Sequence, residues 1–496
     1  MIQIQVICGE KKYSLACRGD ETILSVLQEN GITSVPAPCG GRGRCGKCAV
    51  KADGREKTAC TTKVSDGMEV IIPEEEHAAV AEYGEGYSFL PDGEQGYFAA
   101  CDIGTTTVVC HLLDKDGRKL ATVSEYNRQR ESGADIVSRI QAPLSLMHEQ
   151  ITAQITQMLA GLMQKTGKSG QIKRLAISGN TVMCLLLAGI SPASVGEAPF
   201  TPAEYFGKEF KGTDLGIPLC AQVYILPAVS GYVGGDITAD LLCVMPGHES
   251  EETLLLDIGT NGEIVLGHTG SFHCCATAAG PAFEGAEITM GMPAQRGAIS
   301  HVYLDRRRLR TEVIGNTKAA GICGSGLLDA LSVFLDMGIV DRSGMIADAG
   351  RVSVAYRKYL GDYKGQACIW LDSVCVIQED IRKLQLAKAA VAAGIKTLMK
   401  ERGITVSQIK RVLLAGGFGT FLNPKSAADI GLIPQKLCDV SDAVGNAAGH
   451  GAVSAAISRK AREAAAQYAG QMKYVELALH PDFSDAYMEF LQLDRC

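Results

Sequence analysis

A short loop occurs twice in this chain, and its repetition constrains the fold more than any other feature. It reads Asp102-Ile103-Gly104-Thr105-Thr106-Thr107 in the first half and Asp257-Ile258-Gly259-Thr260-Asn261-Gly262 in the second. Each copy follows an apolar run, Tyr97 to Cys101 and Leu254 to Leu256, and precedes another. That pattern predicts a strand, a tight turn and a second strand. Glycine lets the backbone approach a ligand closely, hydroxyls and backbone N–H groups suit phosphate oxygens, and aspartate suits a magnesium ion. A repeated loop of this kind predicts a duplicated fold whose halves face one nucleotide.

A third element strengthens the reading. Val412-Leu413-Leu414-Ala415-Gly416-Gly417-Phe418-Gly419 is a buried strand ending in glycines that admit a ribose or a flat ring. Gly324, Ser325 and Gly326 sit in a glycine-rich turn that opens a helix, which is either an anion site or a plain helix N-terminus. Ser178-Gly179-Asn180-Thr181 closes a further strand and reads equally as a cleft residue set or a structural turn. No G-x-G-x-x-G follows an early strand, so ATP is expected rather than a dinucleotide.

Upstream lies a compact cysteine cluster. Cys39, Cys45 and Cys48 share one glycine-rich loop and Cys60 follows, a C-x5-C-x2-C-x11-C spacing. Three thiolates on one loop can wrap an edge of a [2Fe–2S] cluster, and the glycines free N–H groups to bond its sulfides. A four-cysteine zinc knob is the alternative, although zinc sites usually pair two short knuckles. The spacing resembles [2Fe–2S] ferredoxins, with x5 where the plant type has x4 and a short gap to the fourth cysteine. Most other cysteines, Cys101, Cys110 and Cys323 among them, read as small buried hydrophobes, and the adjacent Cys274-Cys275 as a minor candidate for redox activity.

The remaining organisation follows from pattern. Residues 1–73 read as a β-grasp unit: strands at Ile2–Val6 and Tyr13–Cys17, a helix from Thr22, a strand from Ala49 to Ala52 and a closing strand ending at Pro73. Residues 74–96 are acidic and glycine-rich and read as a flexible linker. From 97 on, strands alternate with amphipathic helices, marked by Ile151, Ile155, Met158 and Leu162 and by Ile381, Leu384, Val391, Ile395 and Leu398. A first lobe is expected over 97–250 and a second, with C-terminal helices, over 251–496. The net charge of −7 argues against nucleic-acid binding. No run of about 18 apolar residues predicts a membrane span. Eighteen cysteines in a chain without a signal-peptide pattern suggest reduced thiols and a cytoplasmic location.

The order of two phosphate loops and a Gly-Gly loop resembles the acetate and sugar kinase, heat-shock chaperone and actin superfamily. With the cysteine cluster, nearly the full length resembles the reductive activators of corrinoid proteins. The resemblance runs through Gly133 to Ile140, Gly179 to Met183, Pro227 to Asp236, Leu256 to Glu263, Gly280 to Ala286, Leu414 to Gly419 and the tail from Val475 to Phe483. It implies an N-terminal [2Fe–2S] domain followed by a two-lobed actin-like ATPase that returns cobalt(II) in a corrinoid protein to cobalt(I). Asp102 and Asp257 would position Mg2+. Gly104, Thr105, Thr106, Gly259, Thr260 and Asn261 would hold phosphates, and Gly416, Gly417, Phe418 and Gly419 would line the adenosine pocket. The implied partners are a corrinoid protein and an upstream low-potential electron donor, and a homodimer is left open. Larger members carry a middle domain, which the direct run of linker into the first ATPase strand suggests is absent here. Two other readings remain: a small-molecule kinase and an ATP-gated redox sensor, each with a regulatory iron–sulfur domain.

Overall fold

The computed structural model describes residues 2–8, 11–30, 32, 35, 48–72, 89–133, 135–259, 261–285, 287–416 and 422–494. The chain divides into two compact units, Met1–His77 with Arg128–Pro143, and Ala78–Asn127 with Leu144–Cys496.

In the first unit, alternation of apolar and polar residues gives β1 (Ile2–Cys8) and β2 (Lys11–Cys17), paired antiparallel. Helix α1 (Ile23–Glu29) follows, then β3 (Ala49–Ala52), β4 (Arg55–Thr58) and β5 (Glu69–Ile72). The sheet order is β2-β1-β5-β3-β4, with β5 parallel to β1. Ile4, Val6, Ile23, Leu27, Val50, Val70 and Ile72 form its core. Asp53 and Gly54 turn β3 into β4 with φ of 49° and 73°, the left-handed pair that a two-residue hairpin needs. The sequence reading missed β4, because Arg55-Glu56-Lys57-Thr58 has no apolar face to announce it. A short helix α2 (Ile136–Gln141) belongs to the same unit, capped by Asp135, which accepts from the Ser138 N–H at 2.7 Å.

The second unit holds two six-stranded sheets that share a five-strand core and carry their sixth strand on opposite edges. The first has β6 (Tyr97–Ile103), β7 (Thr107–Leu113), β8 (Lys119–Tyr126), β9 (Ile172–Gly179), β10 (Lys208–Lys211) and β11 (Cys220–Ile225), in the order β10-β11-β9-β6-β7-β8. The second has β12 (Thr253–Ile258), β13 (Gly262–His268) and β14 (Ser271–Thr277). Strands β21 (Arg411–Ala415), β22 (Ser441–Gly445) and β23 (Met472–Tyr474) complete it in the order β22-β21-β12-β13-β14-β23. The shared core is β11-β9-β6-β7-β8 in one and β22-β21-β12-β13-β14 in the other. In each, the first strand pairs antiparallel with its successor and parallel with a later strand. Each phosphate-type loop therefore joins the same two strands of its sheet. The correspondence extends to atoms. A Cβ at Gly179 would lie 2.8 Å from the Ile103 carbonyl, and one at Gly416 would lie 2.9 Å from the Ile258 carbonyl.

Two three-stranded sheets are inserted in the second half: β15 (Ala298–Asp305), β16 (Arg308–Val313) and β17 (Gly321–Ile322), then β18 (Leu360–Tyr363), β19 (Gln366–Leu371) and β20 (Val374–Ile377). The expected amphipathic helices are α3 (Leu144–Lys165) and α7 (Gln378–Arg402), flanking α4 (Thr181–Leu187), α5 (Gly235–Val244) and α6 (Gly324–Asp336). Beyond α8 (Pro424–Asp429) lie α9 (Ala447–Ile457), α10 (Arg459–Gln471) and α11 (Phe483–Glu489). Helices α5 and α9 touch backbone to backbone, since a Cβ at Gly451 would lie 1.9 Å from the Ala239 carbonyl oxygen. Any side chain there would drive the two helices apart.

Within the span read as linker, Asp92 and Glu94 are tied to this unit. The Asp92 N–H donates to the Ile457 carbonyl at 2.9 Å, and Glu94 pairs with Lys173 at 3.1 Å and Arg174 at 3.4 Å. These residues are anchored rather than part of a free tether. Residues 73–88 lie outside the described residues.

Candidate functional site: a carboxylate-lined nucleotide cleft and a cysteine pair

Asp102 and Asp257 occupy matching places, each next to last in its strand. Asp102 accepts a hydrogen bond from the Ser178 hydroxyl at 2.8 Å and another from the Asn446 amide. Burial nonetheless raises its pKa above the usual carboxylate range. Asp257 is pushed up to about 8, first by burial and then by the charges of Asp236 and Asp102. Asp236, on the first turn of α5, is pushed up to about 7 by burial and by Asp102. Asp240, one turn further along, and Glu263 are also raised well above the usual carboxylate range, first by burial and then by neighbouring carboxyl charges. Five carboxyl groups thus share one interior region, where burial raises all five and the charge of neighbouring carboxyls raises every one but Asp102.

Asp240 makes the crowding concrete. Both its carboxyl oxygens are buried without a hydrogen-bond donor, and its carboxyl is the neighbour that eases the ionisation of Asp257. Two carboxyls in contact hold that arrangement only when they share a proton or a cation neutralises them. No role was assigned from sequence to Asp236, Asp240, Glu263 or Asn446, although the stretches that carry the family resemblance include Asp236 and Glu263. The available signal was Asp236 and Asp240 at i and i+4 in an otherwise apolar helix, which places both on one face.

The loops are braced by their own backbones. Gly104 N–H donates to the Thr107 carbonyl at 2.9 Å, and Gly259 N–H to the Asn261 carbonyl at 2.9 Å. The Asn180 amide donates to the Thr105 hydroxyl at 3.3 Å, while the Thr106 hydroxyl donates to Glu284 at 3.2 Å. Asn261 bonds the Glu263 carboxyl. Gly416 has φ +85°, and a Cβ there would lie 2.3 Å from an Asp257 carboxyl oxygen. The glycine is required by the aspartate it faces. Thr260, Gly417, Phe418 and Gly419 lie outside the described residues.

Gly324, Ser325 and Gly326 open α6 as expected, but their surroundings explain them by packing. All three are buried, the Ser325 hydroxyl donates to the Ser300 carbonyl at 3.0 Å, and a Cβ at Gly326 would lie 2.2 Å from the Ile299 carbonyl oxygen.

In the first unit, Cys48 and Cys60 are both buried, and the Cys60 N–H points at the Cys48 sulfur at 3.4 Å. Backbone N–H groups directed at cysteine sulfur are a feature of iron–sulfur sites, where they stabilise thiolate charge. Cys39 and Cys45 lie outside the described residues. Elsewhere, Cys274 and Cys275 are fully buried, and burial raises both thiols far from reactivity. Cys101 and Cys110, likewise buried, face each other across β6 and β7.

Three family models match this chain. A 2Fe-2S iron-sulfur cluster binding domain matches residues 13–74, the middle region of RACo matches 97–245, and the C-terminal ASKHA domain of RACo matches 251–495. A solved structure, a reductive activator for corrinoid, iron-sulfur protein, superimposes with a TM-score of 0.73 at 27% identity, covering 100% of this chain and 99% of the other. The chain belongs to the reductive activators of corrinoid proteins. It is also similar to the corrinoid activation enzyme RamQ of Eubacterium limosum, at 28% identity over 94% of this chain and 97% of that protein. A [Co(II) methylated amine-specific corrinoid protein] reductase from Methanosarcina barkeri is 23% identical over 68% of this chain and 66% of its own length. The span taken from sequence as the first lobe is the one matched by the middle-region model. A ferredoxin-like domain followed by a two-lobed, duplicated actin-like domain is the fold.

Proposed function

We propose that this protein is an ATP-dependent reductase that passes one electron from a [2Fe–2S] cluster to cobalt(II) in a corrinoid protein, leaving cobalt(I) and an oxidised cluster. One observation carries the reading: two matching Asp-Gly loops face a shared set of buried carboxyls, in a chain whose first unit is a ferredoxin fold. The named relatives, a corrinoid activation enzyme and a cobalt(II) corrinoid protein reductase, support the substrate class.

Cys39, Cys45, Cys48 and Cys60 are the proposed cluster ligands. Thr105, Thr106, Thr260 and Asn261 are assigned to the nucleotide phosphates, and Gly416 to Gly419 to the adenosine. The donor set fits Mg2+. Among the described residues no three His, Cys, Asp or Glu side chains are grouped to hold a metal by themselves. Magnesium typically takes one or two carboxylates and completes its shell with phosphate oxygens and water. Asp102 and Asp257 would supply those carboxylates, and the cation would offset the burial that raises both and the Asp102 charge that raises Asp257. Bound there, Mg2+ would neutralise phosphate charge.

A plant-type cluster lies near about −400 mV, and each 59 mV of unfavourable gap costs about tenfold in equilibrium for one electron. Closure of the two lobes on ATP supplies the free energy that tilts this step, by favouring a partner conformation in which cobalt is easier to reduce. An upstream low-potential donor re-reduces the cluster. We place the protein in the cytoplasm; no helix among the described residues is long and apolar enough to cross a membrane. A homodimer is the assembly to test by light scattering.

The deciding experiment mixes the full chain anaerobically with a cobalt(II) corrinoid protein, ATP and a low-potential reductant, and follows cobalt(I) by absorbance. Asp257→Ala should abolish cobalt(I) formation and ATP hydrolysis while leaving the cluster spectrum intact. Transfer of phosphate to a small molecule without any cobalt reduction would favour the kinase reading instead.

A further inference from the structure

Asp102 is held by donors from both halves of the chain. Its own half supplies the Ser178 hydroxyl, which donates at 2.8 Å from the neighbouring strand β9. The second half supplies Asn446, which follows β22 and caps α9. A register shift in the pairing of β21 with β22 sets Ala415 opposite Gly445, and Gly445, at φ +59°, turns the chain into the cap. There the Asn446 side-chain oxygen accepts the Gly449 N–H at 2.7 Å. An amide whose oxygen is committed to the helix offers its NH2 group on the other side, and that group donates to Asp102. Gly449 keeps the amide in place, since a Cβ there would lie 2.9 Å from its Nδ2 and 3.1 Å from its oxygen. Helix α9 is fixed in turn, because its Gly451 abuts the Ala239 carbonyl of α5. Asp257, by contrast, is met by the Asp240 carboxyl.

We propose that Asn446 is a positioning residue for Asp102: its cap on α9 orients the amide that holds the first half's metal-positioning carboxylate in one orientation. This rests on the reading of Asp102 as a carboxylate that positions Mg2+. The physical reason is geometric. A carboxylate held by a single hydroxyl can still pivot about that contact, and a second donor from another element removes the freedom. Groups that hydrogen-bond a metal-binding carboxylate typically change metal affinity about 10–100-fold when they are removed. The bond also crosses from one half to the other, so the first half's carboxylate is aligned by an element of the second. Asn446 acts through Asp102 and touches neither metal nor nucleotide in this role. A cap alone asks only for an oxygen acceptor, which serine supplies as well as asparagine. The amide NH2 is what asparagine adds.

The test compares Asn446→Ser, which keeps the cap and loses the amide donor, with Asn446→Ala, which loses both. Calorimetry on the full chain measures affinity for a non-hydrolysable ATP analogue with and without Mg2+. Both variants should weaken the Mg2+-dependent binding at least about tenfold and leave Mg2+-free binding within about twofold. Asn446→Ala should melt a few degrees below Asn446→Ser, because only it loses the cap; the melting curves also verify folding. Gly449→Ala leaves Asn446 in the chain but crowds its amide, and should weaken the Mg2+-dependent binding by a smaller factor. If Asn446→Ser bound the Mg2+-analogue complex like wild type while Asn446→Ala did not, Asn446 would be a cap alone and the proposal would be overturned. Equal losses with and without Mg2+ would overturn it too. A wild-type chain whose nucleotide binding ignores Mg2+ would overturn the magnesium reading of Asp102 as well, whereas Mg2+-dependent binding unaltered in both variants overturns this inference alone.

Discussion

Replacing Gly416 by alanine adds one methyl group and should disable the ATPase while sparing the rest of the protein. The position has φ +85°, a conformation that costs a residue with a Cβ on the order of 1–2 kcal/mol. The added carbon would stand 2.3 Å from an Asp257 carboxyl oxygen and 2.9 Å from the Ile258 carbonyl. Ordinary contact is roughly 3.5 Å, so Asp257 must move by about 1 Å. It cannot move freely, because Asp240 and the second loop crowd it. A misplacement of about 1 Å in a reacting constellation costs on the order of a hundredfold in rate. Gly416→Ala should therefore lower ATP hydrolysis about a hundredfold. In a unit of this size the strain should drop the melting temperature by only a few degrees. The cluster spectrum should stay unchanged. The assay is phosphate release by the anaerobically purified variant beside wild type, with calorimetry for the melt. A variant that hydrolyses ATP at near the wild-type rate would refute the reasoning, because it would mean that Asp257 need not stay where Gly416 allows it.

Three further outcomes follow from the same structure. Cys48→Ser or Cys60→Ser should remove the visible spectrum and the roughly two irons per chain of a [2Fe–2S] protein, and a wild-type chain carrying one zinc would refute the assignment. The nucleotide-free protein should lose stability as pH rises from about 5 to 8. Asp236 and Asp257 titrate at about 7 and about 8 when folded but near 3.8 when unfolded. The folded state therefore binds more protons across that window, and the slope is negative. Asp240→Asn should flatten the slope and raise the melting temperature at pH 8; a melt independent of pH would contradict the carboxyl crowding. Finally, the 97–496 fragment should hydrolyse ATP without reducing a corrinoid partner, and adding the separate 1–73 fragment should recover a small part of the activity lost with the tether. Full cobalt reduction by the 1–73 fragment alone would show that ATP is not needed.

What sequence could reveal here depended on whether a residue's role is local. The two loops were legible because strand, turn and glycine lie within a few residues of each other, and the cysteine spacing was legible for the same reason. Gly416 was legible as a close-approach glycine, but what it approaches was not. Asp257 is brought opposite it only by the parallel pairing of β12 with β21. Ser178 was left open between turn and cleft. The register that sets Asp102 opposite Ser178 decides it, and makes Ser178-Gly179 the first-half counterpart of Ala415-Gly416. Gly326 was open between two readings, because a glycine at a helix start looks the same in sequence whether it admits an anion or, as the Ile299 carbonyl here requires, a neighbouring strand.

The carboxyl cluster was illegible for a deeper reason. Asp236 and Asp240 lie on α5, Asp102 on β6, and Asp257 and Glu263 on the second sheet, so no window of sequence contains them together. Their convergence is also unfavourable by itself, since burial raises all five and neighbouring carboxyl charges raise every one but Asp102. A fold keeps such a cluster only if a state that it visits rewards it, and a bound Mg–nucleotide is a ligand that would do so. The nucleotide-free protein is then held away from its best-satisfied arrangement by these buried acids. Binding that neutralises them would release that constraint. That gives the ATPase a route from phosphate contact to lobe movement without any residue that touches the corrinoid. The same logic makes Asp240 informative. It touches neither nucleotide nor metal in this reading, so Asp240→Asn should alter the pH dependence of stability more than the affinity for ATP, and the reverse result would place Asp240 among the ligands.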